Sequence, residues 1–155
     1  WFAGLADPTR RWAKTTHQNT AVNNATSPET ATATEIGWGY RNTRAIILQG
    51  NSDTATSAAA LADSHTVTVS GVVYDDWFLP SKDELAQLYS QKATVGVFVE
   101  STYWSSSEDS EISAWDRSFG DGSQGSAWSQ LFTDGRQFSV YDKVNLMYVR
   151  PVRAF

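Results

Sequence analysis

Residues 114–124 and 127–137 are two copies of one pattern, A-W-x-x-x-F-x-D-G-x-Q. Each copy joins a strand-like run to an Asp-Gly pair, which is a strong short-range signal for a hairpin turn. No calcium-loop spacing surrounds Asp121 or Asp134, so we assign both to turn formation in preference to metal binding. The repeat therefore predicts consecutive β-strands and tight turns in the C-terminal part of the chain.

Side-chain alternation along a strand divides each copy of the repeat into two faces. The large aromatic residues are predicted to face the core, and these are Trp104, Trp115, Phe119, Trp128 and Phe132. Positions that differ between the copies are not dictated by packing, so we expect them, and the segment that follows, to face outward. The predicted ligand-binding residues are accordingly Asp116, Ser118, Ser123, Ser129, Leu131, Arg136, Phe138, Ser139, Tyr141 and Asn145.

The amino-acid composition indicates a globular domain and excludes several kinds of binding site. A chain of 155 residues can form one domain with a proper core, and its seven Trp, six Tyr and seven Phe exceed what packing alone needs. The net charge of -5, without a Lys/Arg cluster, argues against nucleic-acid binding. No apolar run is long enough to cross a membrane. The absence of Cys excludes disulfides, thiolate metal sites and Cys nucleophiles.

The chain is expected to form a single domain over residues 1–155. It begins at Trp1, not at Met, and we expect it to be the C-terminal part of a longer protein. The polar stretch from 15 to 35 is interpreted as a loop region.

Local patterns predict the helices. Residues 81–92 form the clearest one, because Ser81 and Glu84 have the spacing of a capping box and apolar residues follow on one face. We therefore interpret Glu84 as a cap and not as a catalytic acid. Residues 42–64 are predicted to form a helix in two pieces with a break at 50–52, and residues 66–73 a strand or β-ribbon.

The segment 138–155 continues the β pattern. Pro151 cannot donate a ladder hydrogen bond, so it is expected at a strand edge or end. Arg150 and Arg153 are expected to pair with carboxylates such as Glu108.

Four blocks, in order, resemble one known family. They are I-G-W-G-Y-R-N-T at 36–43, D-W-F-L-P-S-K-D-E-L at 76–85, Y-W-S-S-S-E at 103–108 and V-R-P-V-R at 149–153. The family is typified by the C-terminal domain of the Legionella collagen-like adhesin. The resemblance implies an α+β, C-type-lectin-like fold, similar to that of the formylglycine-generating enzyme, with two helices packed on twisted antiparallel sheets. It also implies a domain on a bacterial surface that binds a protein or a glycan.

The C-terminal part is also similar to the variable proteins of diversity-generating retroelements, which carry an A-W-x-x-x-F-x-x-G-x-Q pattern and end in V-R-P-V-R-A-F. In such proteins mutagenesis of template adenines lets Asn-type codons reach most residue types. All ten predicted ligand-binding residues belong to the reachable set, whereas Met147 does not. The second copy of the repeat makes this segment longer than the usual pattern.

Two alternatives to a binding domain are an enzyme and a structural cap. An enzyme of the formylglycine-generating type needs cysteines, and neither His17 nor His65 lies in a catalytic motif, so we predict no enzyme activity. A structural cap or tip domain of a surface or phage-tail assembly, without a ligand, would have a polar C-terminal face and no aromatic patch. No cofactor is predicted. Calcium would be optional, with carboxylates available at Asp109, Glu111, Asp121 and Asp142.

Overall fold

A computed structural model of the chain describes residues 7–13, 22, 33–96, 98–110 and 126–154, and it has an α+β fold. The first copy of the repeat lies outside these residues, and with it Asp116, Ser118, Ser123 and the two predicted core aromatics Trp115 and Phe119. Its elements, in chain order, are β1 (Thr9–Arg10), α1 (Gly39–Leu48), α2 (Ala58–Asp63), β2 (Val67–Val69), β3 (Val72–Tyr74), α3 (Lys82–Ser90), α4 (Lys92–Val95), β4 (Thr102–Ser110), β5 (Ser126–Leu131), β6 (Gln137–Asp142) and β7 (Met147–Tyr148).

Five strands form the main sheet in the order β1-β7-β4-β5-β6. Neighbouring strands are antiparallel except for β4 and β7, which are parallel and meet where Tyr103 pairs with Tyr148. The prediction of purely antiparallel sheets is therefore wrong at this pair. The strand before β7 in the chain is β6, which lies at the opposite edge of the sheet. No tight hairpin joins β4 to β7, so their relative direction is not forced to be antiparallel.

The core lies on both faces of this sheet. Tyr103 and Trp104 are neighbours on β4, so their side chains point to opposite faces. Trp104 belongs to a cluster with Ala45 and Ile46 of α1 and with alanines of α2, whereas Tyr103 packs with Leu85 of α3 and with Phe132. Trp104 and Phe132 are at most 1% exposed, which confirms their predicted place in the core.

Sequence signals locate the helices well. Ser81 caps α3 by accepting a hydrogen bond from the Glu84 backbone N–H, and the Glu84 carboxylate accepts one from Ser81 N at 2.7 Å, so the predicted capping box is confirmed. The predicted break after the first helix is also confirmed, since Leu48 ends α1 and α2 begins at Ala58. The described part of the chain has four helices, not the two expected, because the short α2 and α4 are separate elements. None of these helices is long and apolar enough to span a membrane.

Strands β2 and β3 form the predicted β-ribbon, apart from the main sheet. Both turn residues have positive φ, 51° at Ser70 and 82° at Gly71, as a tight two-residue hairpin requires. Three of its valines, Val69, Val72 and Val73, are about half exposed.

Candidate functional site

The hairpin of β5 and β6 carries most of the predicted ligand-binding residues that the structure describes. Its turn is closed by hydrogen bonds from Gly135 N to Leu131 O at 2.8 Å and from Leu131 N to Arg136 O at 2.9 Å. The Asp134 carboxylate accepts a hydrogen bond from Arg136 N at 3.1 Å and one from its guanidinium at 2.7 Å. These bonds, the backbone one first, hold the pKa of Asp134 below its usual value. The turn role predicted for Asp134 is confirmed.

A bulge in β6 brings two aromatic side chains together. Ala127 pairs with Tyr141 and Ser129 pairs with Phe138, so β6 has one more residue than β5 over this stretch. An extra residue shifts the alternation of side chains, and residues three apart then share a face. The Phe138 and Tyr141 rings accordingly meet edge to face, with their centroids 5.7 Å apart.

Arg136 extends this pair toward the turn. Its guanidinium carbon lies 5.6 Å from the centroid of the Phe138 ring, and its side chain is 67% exposed. Phe138 and Tyr141 are half-buried. Part of each side chain is held by its neighbours, and part of each ring is accessible to a ligand. A cation and two aromatic rings thus lie side by side on the edge strand of the sheet.

Tyr141 also borders an open surface groove of about 330 Å³. Asn145 and Leu146 line this groove too, and Leu146 is 65% exposed. No charged side chain is among its lining residues, which are Ser101, Thr102, Tyr141, Asn145, Leu146, Met147 and Tyr148. We call the row from Arg136 through Phe138 and Tyr141 to Asn145 the hairpin strip. Sequence reasoning missed Leu146, because it lies in a loop where no alternation identifies exposed positions.

The remaining predicted residues of this region differ in exposure. Leu131, at the end of β5, and Ser139, in β6, are half-buried. Ser129 is only 2% exposed, and its hydroxyl donates a hydrogen bond to Phe138 O at 3.4 Å, so its predicted outward position is wrong. The reason is that β5 lies between two strands with packed side chains on both faces: Gln130 is also 2% exposed.

Trp128 is less buried than predicted. It is half-buried, and Lys82 Nζ lies 4.2 Å from its ring centroid. The side chain of Trp128 belongs to neither core cluster, because it lies beside the start of α3 and not between the packed layers. The Lys82 carbonyl accepts a hydrogen bond from Gln137 at 3.0 Å, so the start of α3 adjoins the hairpin.

The Y-W-S-S-S-E block has a structural role. Its three serines are buried and hydrogen-bonded, and Glu108 forms a buried ion pair with Lys143. Both Glu108 oxygens also accept a hydrogen bond from Val22 N. The prediction that Arg150 and Arg153 pair with carboxylates is confirmed, but Glu108, the example given, is not their partner. Carboxylates nearer those arginines take that place: Arg150 pairs with Asp7 at 2.6 Å and Arg153 with Asp76 at 2.8 Å.

Within the described residues, no three His, Asp or Glu side chains come close enough together to hold a metal ion. Of the carboxylates considered for calcium, Glu111 and Asp121 lie outside those residues. His65 packs edge to face on Trp77, with centroids 4.9 Å apart, and its partial burial lowers its pKa. His17 lies outside the described residues.

The chain was compared with protein-family models, with curated proteins and with solved structures, and none of the three comparisons gave a match.

Proposed function

We propose that this chain is a non-enzymatic ligand-binding domain displayed on a bacterial or phage-associated surface, as an adhesin or receptor-binding domain. Its ligand is a protein or a glycan, and the hairpin strip contacts it. One observation carries the proposal: Arg136, Phe138 and Tyr141 contact one another in turn along the edge strand of the sheet, and Asn145 lines the same groove as Tyr141.

The chemistry of the strip supports binding. Tyr, Trp and Arg are over-represented among residues that dominate binding energy, and rigid aromatic rings give contact area at a low cost in conformational entropy. The closed turn and the bulge fix Phe138 and Tyr141 before a ligand arrives, and such preorganisation favours affinity. A cap domain without a ligand would present a polar face here, whereas this face carries two accessible aromatic rings.

We further propose that the fold is C-type-lectin-like and that a retroelement diversifies the strip. The α+β architecture agrees with the first proposal. The second is supported by exposure, because substitutions at accessible positions such as Arg136 usually change stability little. Ser129 is an exception among the predicted positions, since it is buried in the sheet.

A binding screen tests the site. The wild-type chain is screened against a glycan array and a panel of cell-surface proteins, beside a variant with Arg136→Ala, Phe138→Ala and Tyr141→Ala. Replacing a residue that dominates binding with Ala typically costs more than about 1 kcal/mol of binding free energy. With three such residues replaced, we expect the triple variant to bind at least roughly a hundredfold more weakly.

The matched control carries Val69→Ala, Val72→Ala and Val73→Ala in the exposed β-ribbon. It removes apolar surface outside the strip and should bind like the wild type. Equal binding by the strip variant would show that the ligand contacts lie elsewhere.

Sequencing of the DNA beside the gene tests diversification. A near-copy of the region encoding residues 115–155, differing at adenines, is expected close downstream. A complete flanking sequence without such a copy would contradict the retroelement proposal and leave the binding proposal standing.

A further inference from the structure

The surface groove beside Tyr141 is lined by residues from three separate parts of the chain. Thr102 begins β4 and Ser101 precedes it, Tyr141 belongs to β6, and residues 145–148 lead into and form β7. The groove therefore exists only in the folded domain. Its volume of about 330 Å³ is at the lower end of the range for small-molecule sites. A groove of this size suits one small unit of a ligand.

Five of the lining side chains end in a hydroxyl or amide group that is free to bind a ligand. All five are half-buried, and they are Ser101, Thr102, Tyr141, Asn145 and Tyr148. No hydrogen bond joins their side-chain oxygen or nitrogen atoms to any residue that the structure describes. By contrast, the hydroxyls of Ser105 and Ser107, farther along β4, donate to carbonyl oxygens within the domain. The groove thus presents several donors and acceptors that the fold itself does not use.

Apolar and aromatic surface lies beside these polar groups. Leu146 is 65% exposed. The Tyr141 ring packs against Phe138 and the Tyr148 ring against Tyr103, with 5.7 and 5.5 Å between centroids, so both rings are held in place. No lining side chain carries a charge. A charged ligand group would lose hydration here without gaining an ion pair, so the groove favours an uncharged ligand.

We propose that the surface groove binds one uncharged sugar unit of a glycan. A sugar ring has hydroxyl groups around its rim and apolar C–H groups on its faces, which match the polar groups and the aromatic and aliphatic surface of the groove. An apolar side chain of a protein would displace water from the five polar groups without replacing its hydrogen bonds. The combination of unused polar groups, fixed rings and no charge therefore selects a neutral sugar.

This inference deepens the proposed function and rests on it, because Tyr141 and Asn145 belong to both the hairpin strip and the groove. It narrows the ligand from a protein or a glycan to a glycan with an uncharged unit. It also adds Ser101, Thr102 and Tyr148 to the residues that contact the ligand.

Two-dimensional ¹H–¹⁵N NMR of the wild-type chain tests the inference. The chain is titrated with methyl glycosides of the common neutral hexoses and N-acetylhexosamines. At least one is expected to shift the amide resonances of Thr102, Asn145 and Tyr148 saturably, with a dissociation constant in the millimolar range. Methyl glucuronide and methyl glucoside form a matched pair that differs in charge, and the glucuronide should bind more weakly. No saturable shift with any neutral glycoside, or tighter binding of the glucuronide, would overturn the inference.

Isosteric variants test the contacts without removing the rings or the packing. The double variant Thr102→Val, Tyr141→Phe lacks two groove hydroxyls and should bind the glycoside about tenfold or more weakly, because two hydrogen bonds are lost. The matched control Thr68→Val makes the same change at an exposed strand position outside the groove and should bind like the wild type. The NMR spectra themselves report whether each variant is folded. Unchanged affinity in the folded double variant would show that the sugar does not occupy the groove.

Failure of this inference is distinguishable from failure of the proposed function. If the screened ligand is lost in the strip variant with Ala at 136, 138 and 141, but no neutral glycoside binds the wild type, the binding domain stands and the sugar assignment is wrong. If the strip variant keeps its ligand and no glycoside shifts the groove resonances, both proposals are wrong.

Discussion

Lys143 and Glu108 form an ion pair that is almost fully withdrawn from solvent, with side chains 0% and 1% exposed. Desolvation of two charges is costly, and it is offset here by specific neighbours. Val22 N donates hydrogen bonds to both Glu108 oxygens, and Lys143 Nζ lies 4.8 Å from the Trp12 ring centroid. The pair thus joins residues from the beginning, middle and end of the chain, and Glu108 loses its ion-pair partner when Lys143 is replaced.

We expect Lys143→Met to lower the free energy of unfolding by about 3–5 kcal/mol, because Glu108 is left as an unpaired buried charge. The double variant Lys143→Met, Glu108→Leu should recover part of this loss, since both charges are then removed, although Val22 N loses its acceptor. Chemical denaturation of both variants measures the difference. Arg136→Ala, which breaks an exposed pair, is the control and should change stability little. A double variant less stable than Lys143→Met alone would contradict this account.

The β5–β6 hairpin shows how an element combines local and tertiary requirements. Asp134 and Gly135 close its turn, as an Asp-Gly pair predicts, and Gly135 has a φ of +83°. Gly135 also meets the neighbouring helix, because a Cβ atom at this position would lie 2.4 Å from the Tyr89 ring. Tyr89 in turn packs edge to face on Phe132, 5.4 Å between centroids, so its ring has little freedom to move. Glycine at position 135 therefore meets two requirements: the turn needs a positive φ, and the contact with Tyr89 of α3 leaves no room for a Cβ atom.

Gly135→Ala and Gly71→Ala separate these two requirements. Both glycines have positive φ, but a Cβ atom at Gly71 would meet nothing within 4 Å. The backbone cost of about 1–2 kcal/mol applies to both, whereas the clash with Tyr89 adds about 1–3 kcal/mol at Gly135 alone. Chemical denaturation should therefore show the larger loss of stability for Gly135→Ala. Equal losses would mean that Tyr89 moves aside without cost.

At the scale of the whole molecule, the pH dependence of stability is set in part by three described side chains with lowered pKa values. All three make the folded chain more stable at higher pH. Partial burial lowers the pKa of His65 from 6.5, and hydrogen bonds lower those of Asp76 and Asp134 from 3.8. For Asp76 the main cause is the hydrogen bond from the Arg153 side chain. A lowered pKa means that the unfolded chain binds the proton more tightly, so the free energy of unfolding rises with pH.

We expect stability to fall in two steps as the pH is lowered. The contribution of His65 is complete above its unfolded-state pKa of 6.5 and is lost as the pH falls below that value toward its lowered pKa. The contributions of Asp76 and Asp134 are lost below about pH 4. Denaturation midpoints measured across this range should show both steps, and His65→Phe should remove the upper one. An upper step that persists in His65→Phe would assign it to another group.

Sequence alone determined the local structure of this chain. The capping box of α3, the break between α1 and α2, the β2–β3 ribbon and the turn at Asp134 depend on neighbouring residues, so short-range patterns sufficed for all of them. Of the outward positions predicted at Arg136, Phe138, Tyr141 and Asn145, Arg136 is exposed and the other three are half-buried.

Tertiary structure decided which faces are buried. Strand alternation predicted that Ser129 lies outside and Trp128 inside. In the assembled sheet β5 lies between two other strands, and Ser129 is buried, whereas the half-buried Trp128 lies under Lys82. The buried pair of Lys143 and Glu108 and the parallel pairing of β4 with β7 likewise join residues far apart in the chain. Local sequence fixes backbone conformation through neighbouring residues, whereas burial depends on which distant segments cover each face, and only the assembled fold specifies that.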